Sequence, residues 1–102
     1  MKHGGWTDDE VLLTFKLYVE IRDDGRDDKA PIKDLAKLLG RDASAVRSAV
    51  FAPAKDDPRW TRSRPSHGLK PSARVLWDSY SGDLASLRRI ARKIEASLRA
   101  RG

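Results

Sequence analysis

The stretch "LAKLLGRDASAVRSAVF", residues 35–51, constrains this chain more than any other. It reads as a helix, a glycine stop, a polar turn and a second helix. A helix-turn-helix makes steric demands at particular positions. The first helix needs a small residue where the second crosses it, and Ala36 stands there. The turn needs a residue that tolerates positive φ, which Gly40 supplies. The second helix needs an apolar residue aimed back at the first, and Val46 fills that role, with Leu35, Leu39 and the small Ala49 completing the contact. Residues 32–53 satisfy the pattern at every position that packing dictates.

With Val46 and Ala49 turned inward, the outward face of the second helix is Ala43, Ser44, Arg47 and Ser48, with Phe51 either at its edge or, the favoured account, in the core rather than a wedge between bases. That face is short, small and polar, with one long arginine. It can approach the floor of a major groove closely, where Arg47 could bond a guanine edge or a phosphate. An ordinary solvated arginine is the competing account. Arg41, in the turn, is better placed for phosphate.

Charge is distributed unevenly. The net is +6, yet residues 1–40 hold 7 Lys+Arg against 9 Asp+Glu, and residues 41–102 hold 14 against 6. A basic half facing a polyanion gains by releasing condensed counterions. Double-stranded DNA is the partner this asymmetry suggests when it is read together with the helical pair.

The other elements follow from caps and periodicity. Thr7-Asp8-Asp9-Glu10 is a capping box, with Trp6 placed to staple against Val11. Apolar residues from Val11 to Ile21 predict a helix with a broad buried face, ending near Arg22. The acidic run over residues 23–29 reads as a solvated loop. Pro31 suits the first turn of the next helix, Gly40 ends it, and Asp42 or Ser44 can cap the one that follows. Ser72 can cap a further helix in which Val75, Leu76, Trp77 and Tyr80 look buried. Asp83 caps a last helix with Leu84, Leu87, Ile90, Ala91, Ile94 and Leu98 at helical spacing. Its other face carries Arg88, Arg89, Arg92, Lys93, Arg99 and Arg101. Solvation alone accounts for such a face, and phosphate contact is the alternative. No strand pattern competes, so residues 1–102 read as one all-α domain of about five helices: the helix-turn-helix over 32–52, a basic loop over 53–71 and C-terminal helices over 72–101.

The loop "PAKDDPRWTRSRPSHGLKP" interleaves Lys55, Arg59, Arg62, Arg64 and Lys70 with Trp60 and His67. Basic residues among aromatics suit backbone contacts and could reach a neighbouring groove. Trp60 and Leu69 are expected to pin the loop to the core.

The order "GGWTDDEVLLTFKLY", "LAKLLGRDASAVRSAVFAPAKDDP" and "GLKPSARVLWDSY" resembles the N-terminal helical domain found ahead of HNH-type restriction endonucleases. The shared features fall on Trp6, Thr7, Arg41, Val46, Asp57, Pro58, Gly68, Leu69, Trp77 and Asp78. The resemblance implies a DNA-recognition module, one that could sense modified or foreign DNA. Two departures qualify it: "SAVFAPAK" replaces the usual Lys-Leu-Ala-Asn-Phe, and no nuclease domain follows. A stand-alone binder or regulator, encoded by a phage or mobile element, is the expectation.

Catalysis has little to work with. No cysteine is present, and His3 and His67 are the only histidines, too few for an HNH metal site. No nucleophile elbow, zinc-protease or phosphate-loop motif occurs. "DDGRDD" lacks the EF-hand spacing. No enzyme activity and no cofactor or metal are therefore expected. No apolar run approaches the ~20 residues of a membrane span, and the polar start is no signal peptide. Those features predict a cytoplasmic protein without a membrane partner. A protein-interaction module, inhibiting a host factor through Trp6, Trp60 or Trp77, is the alternative if those rings are exposed.

Overall fold

The first helix forms on the cap that the sequence announces. In the computed structural model, which describes residues 2–3 and 5–101, α1 runs Asp8–Asp24. Thr7 Oγ1 accepts the Glu10 amide hydrogen at 3.2 Å, and Glu10 Oε1 accepts that of Thr7 at 2.9 Å. The helix continues two residues past Arg22, to Asp24, where Gly25 turns left-handed with φ 65°. The apolar pattern fades before the backbone does because the last turn faces water. Replacing Thr7 by Ala removes one of the two reciprocal bonds and should cost ~1 kcal/mol. Thermal unfolding at constant pH measures this, and an unchanged melting temperature would refute it.

Val11, Leu12, Leu13, Thr14, Phe15, Leu17, Tyr18, Val19 and Ile21 are all buried. A helix apolar on nearly every side must be surrounded, and α1 is. Thr14 tolerates burial because its hydroxyl donates to the Val11 carbonyl at 2.6 Å.

Around α1 lie α2 (Lys29–Leu39), α3 (Ala43–Phe51), a 3-10 turn (Ala52–Lys55), α4 (Pro71–Tyr80) and α5 (Leu84–Arg101). Val11, Thr14 and Phe15 border a hollow shared with α3 and α4. Leu13, Lys16, Leu17 and Glu20 border another shared with α2 and α5. At ~100° per residue these two sets occupy opposite flanks of α1, so α3 and α5 pack against it from opposite sides. The five helices match the expected all-α architecture.

Aromatic contacts tie the elements together. Phe15 meets Trp77 edge-on at 5.2 Å between centroids, and Tyr18 meets both Trp77 and Trp60 at 5.5 Å. Trp60 in turn meets Phe51 at 5.7 Å. Such pairs add about 0.5–1.5 kcal/mol each beyond the area they bury. The chain of rings runs from α4 through α1 and the loop to α3, so Trp60 is the expected loop anchor, and Leu69 packs against the same core.

Several local expectations need correction. A short antiparallel pairing of β1 (Lys2–His3) with β2 (Trp6–Thr7) precedes α1; two-residue strands are too short to leave an alternating pattern. Asp42 holds the cap position of α3 without a side-chain cap bond, and Ser44 lies inside the helix. Likewise α4 starts at Pro71 with Lys70 at its cap position, so Ser72 falls within the first turn. Proline at the first helical position needs no partner for a missing amide hydrogen. Val75 is 65% exposed rather than buried, because α4 turns Ala73 and Trp77 inward at i, i+4. Asp83 does cap α5, its Oδ1 accepting the Ser86 amide hydrogen at 3.2 Å.

Candidate nucleic-acid interface

The α2–α3 turn has the geometry its sequence demands. Gly40 adopts φ 65°, ψ 38° and its amide reaches back to the carbonyls of Ala36 and Lys37. A side chain there would be strained in this backbone conformation, although it would meet no neighbour. Ala36, Val46 and Val50 are buried, while Ala43, Ser44, Arg47 and Ser48 are exposed. The four outward residues expected are exposed, together with Ala45, while Val50 rather than the half-buried Ala49 joins Val46 in the core.

Arg47 projects from the middle of that face, its side chain 51% exposed. It lies over the Phe51 ring at 5.3 Å and donates to Asp28 Oδ2 at 2.6 Å. Asp28 sits at the cap position of α2 without capping it, and its carboxylate meets the outer face of α3 instead. Across from Arg47, Arg62 lies over the Trp60 ring at 5.0 Å. Arg47, Ser48, Phe51, Trp60, Arg62, Arg64, Ser66 and His67 border one shallow groove. The structure thus joins the outer face of α3 to the basic loop: guanidinium groups on the rim, aromatic rings beneath. Ser48 and His67 also border the adjoining hollow, whose edge carries Lys70. Ser44 is exposed on the same helix but does not border either hollow.

Other expected contacts serve the fold. Arg41 grips Glu10 with Nε to Oε2 and Nη2 to Oε1, both at 3.0 Å, and donates to the Gly5 carbonyl at 2.8 Å. Its guanidinium also stacks 4.4 Å from the Trp6 ring. The Arg41 hydrogen bond, ahead of the Thr7 contacts, holds the Glu10 carboxyl below its ordinary value despite partial burial. Arg41 therefore ties the α2–α3 turn to the start of α1, an internal contact that its expected phosphate role leaves out of account. Trp6 is half-buried beneath it.

Arg64 was expected at phosphate as well. Its Nη1 instead donates to the carbonyls of Ala54 at 2.6 Å and Asp57 at 2.9 Å, with Lys55 at 3.2 Å, while Nη2 reaches the Trp60 carbonyl at 3.2 Å. One planar fork thus fixes the path of the loop. Lys55 straps the loop's far side, donating to the Ser66 carbonyl at 2.8 Å. Arg59 is exposed and does not border the groove that Arg47 and Arg62 share.

The sequence did not reveal a buried ionic cluster beneath the loop. Tyr18 donates its hydroxyl to Asp57 Oδ2 at 2.5 Å, and Arg22 donates to the same oxygen at 2.9 Å. The Arg22 and Asp57 side chains are only 4% and 6% exposed. Arg22 also binds Asp23 through Nε at 2.7 Å, and Asp57 Oδ1 accepts the Arg59 amide hydrogen at 3.0 Å. Burial opposes the charge on Asp57, yet the hydrogen bonds from Tyr18, Arg22 and Arg59 outweigh it and leave its carboxyl below the ordinary value. Burial raises the Tyr18 phenol, and Asp57 raises it further. The signal for this cluster lay in Asp57-Pro58, where an acid inside a basic loop has no evident solvent role.

Among the described residues no group of His, Asp and Glu is arranged to hold a metal; the His3 side chain lies outside them, as does Gly4 in the first stretch of the family resemblance. No helix is long and apolar enough to cross a membrane. Trp60 and Trp77 are buried, and Val75 is the sole exposed large hydrophobic residue among those described. The chain matches no family model, no curated protein and no solved structure.

Proposed function

We propose that this protein is a duplex DNA-binding module that docks α3 and the adjoining basic loop against DNA, in the manner implied by the resemblance to helical domains ahead of HNH-type endonucleases. The observation that carries the reading is the shared groove in which Arg47 and Ser48 of α3 face Arg62 of the loop over an aromatic floor. Rim guanidiniums suit phosphate, and the small exposed residues of α3 allow close approach to base edges. The burial of Trp60 and Trp77 and the scarcity of exposed large hydrophobic residues among those described disfavour an interface anchored on aromatic side chains. Binding rather than catalysis is the activity this surface supports, and a binder or regulator in the cytoplasm, carried by a phage or mobile element, is its proposed setting.

In the DNA-free protein Arg47 is held by Asp28, so it must exchange that carboxylate for its DNA contact. Replacing Arg47 by Ala should cost roughly 1–3 kcal/mol on a preferred site and much less on random duplex. Replacing Arg62 by Ala should weaken all duplexes alike and lower the salt slope by about one. Titrations of each variant on selected and random duplexes at several salt concentrations provide the test. Affinities equal to the parent's on every duplex would exclude α3 and the loop as the contact surface.

A further inference from the structure

Across the fold, most arginines outside the last helix are answered by a carboxylate. Arg22 pairs with Asp23 and Asp57, Arg26 with Glu20, Arg41 with Glu10, Arg47 with Asp28 and Arg74 with Asp56. On α5 the arrangement is different. Among the described residues Arg92, Lys93, Arg99 and Arg101 meet no carboxylate, and all are exposed. Glu95, the one acid in the α5 sequence, is directed inward to Lys16 of α1 at 3.1 Å. The helix therefore shows water a face of uncompensated positive charge.

The arrangement of that face matters as much as its charge. At ~100° per residue Arg88, Arg92 and Arg99 fall within a narrow stripe, which extends ~16 Å at 1.5 Å per residue. We propose that this outer face of α5 is a second duplex-binding surface, which holds the phosphate backbone without reading sequence. A duplex carries about one negative charge per 1.7 Å of axis, so a rigid stripe of this length faces several phosphates at once. An anionic membrane fits less well. Interfacial helices insert an apolar face, whereas Leu87, Ala91 and Ile94 are buried in the core and only small residues, Ala96 and Ser97, are exposed between Lys93 and Arg99. Because α3 and α5 pack on opposite flanks of α1, the surface is separate from the α3 groove and stands whether or not that groove binds DNA.

The test uses the triple variant Arg92→Gln/Lys93→Gln/Arg99→Gln, in the parent and in an Arg47→Ala/Arg62→Ala background. Glutamine keeps helix propensity, and none of the three replaced side chains makes a bond in the fold. In the α3 background, random duplex should still bind in a salt-dependent way. Adding the α5 changes should remove that binding and lower the salt slope by about two to three. The corresponding Arg92→Lys/Arg99→Lys variant should retain it. Residual binding with the same slope after the α5 changes would overturn the proposal, as would complete loss of binding with the α3 changes alone. Retention of parent affinity by the α3 variant, together with loss on changing α5, would instead overturn the α3 reading and leave this one standing. Sedimentation with phosphatidylserine vesicles, abolished by the α5 changes while duplex binding is untouched, would assign the face to a lipid surface and overturn it too. Should the triple variant unfold, Arg92→Gln/Arg99→Gln is read in the same way.

Discussion

Replacing Asp57 by Ala should destabilise the protein by about 3 kcal/mol, near the lower bound for breaking a buried ion pair. The change strands two groups at once. Tyr18 loses the acceptor of its buried hydroxyl, and Arg22 loses one of its two carboxylates while its side chain stays 4% exposed. Asp23 continues to bind Arg22, which is why the lower bound applies. The melting temperature should fall by roughly 12 °C or more, given about 4–8 °C per kcal/mol for a domain near this size. Asn at the same position should be milder, since its carbonyl can still accept from Tyr18. Acid should erase the difference. The Asp57 carboxyl sits below its ordinary value in the folded state, so its contribution is full above the unfolded value of about 3.9. It is then lost as pH falls through the lower folded value. Urea unfolding of parent and variant at neutral and acidic pH measures both effects. Equal stability at neutral pH would show that the cluster is replaceable.

Arg64 should have the second-largest effect, and on stability before binding. Its guanidinium organises carbonyls from Ala54 to Trp60, and hydrogen bonds from a charged donor contribute about 1.5–3 kcal/mol. Replacement by Ala should cost about 2–3 kcal/mol, because the carbonyls of Ala54 and Asp57 are left part-buried without that donor. Lysine should restore little, since a single ammonium cannot reproduce the planar fork. Arg62→Ala, whose side chain stacks on Trp60 at the surface, should change stability by no more than ~0.5 kcal/mol. Calorimetry on the three variants separates the roles of two arginines that lie two residues apart. A melting temperature for Arg64→Ala equal to that of Arg62→Ala would refute the distinction.

These two arginines show where sequence reading works and where it stops. The helices, the capping box, the Gly40 turn and the inward set of α3 were legible because each depends on residues within a turn or two of one another. Long-range pairing leaves no such period. Nothing in the spacing of Arg41 marks Glu10 as its partner across 31 residues, and nothing near Arg64 identifies it as a loop clamp rather than a phosphate ligand. The outward residues Ser44, Arg47 and Ser48 were readable from helical phase alone. The side on which Arg59 emerges was not, because it depends on the path of a loop without repeating geometry. Val75 failed for a related reason: a β-branched residue in a helix reads as core, but the rotation of α4 is fixed by Trp77.

The placement of α1 has a consequence for how the chain acquires its structure. It precedes the other helices in the chain, yet one flank is covered by α3 and α4 and the other by α5, far along the sequence. Leu13 and Leu17 lie on the flank that α5 closes, so α2 and α3 cannot mature as an autonomous piece. Excising residues 29–55 as a minimal peptide would leave Val46 and Val50 without the surface they bury against, and cutting before α5 would uncover the core helix itself. Such proteins yield to point substitution more readily than to dissection, and change at the outer face of α3 is confined to substitutions that leave α1 enclosed.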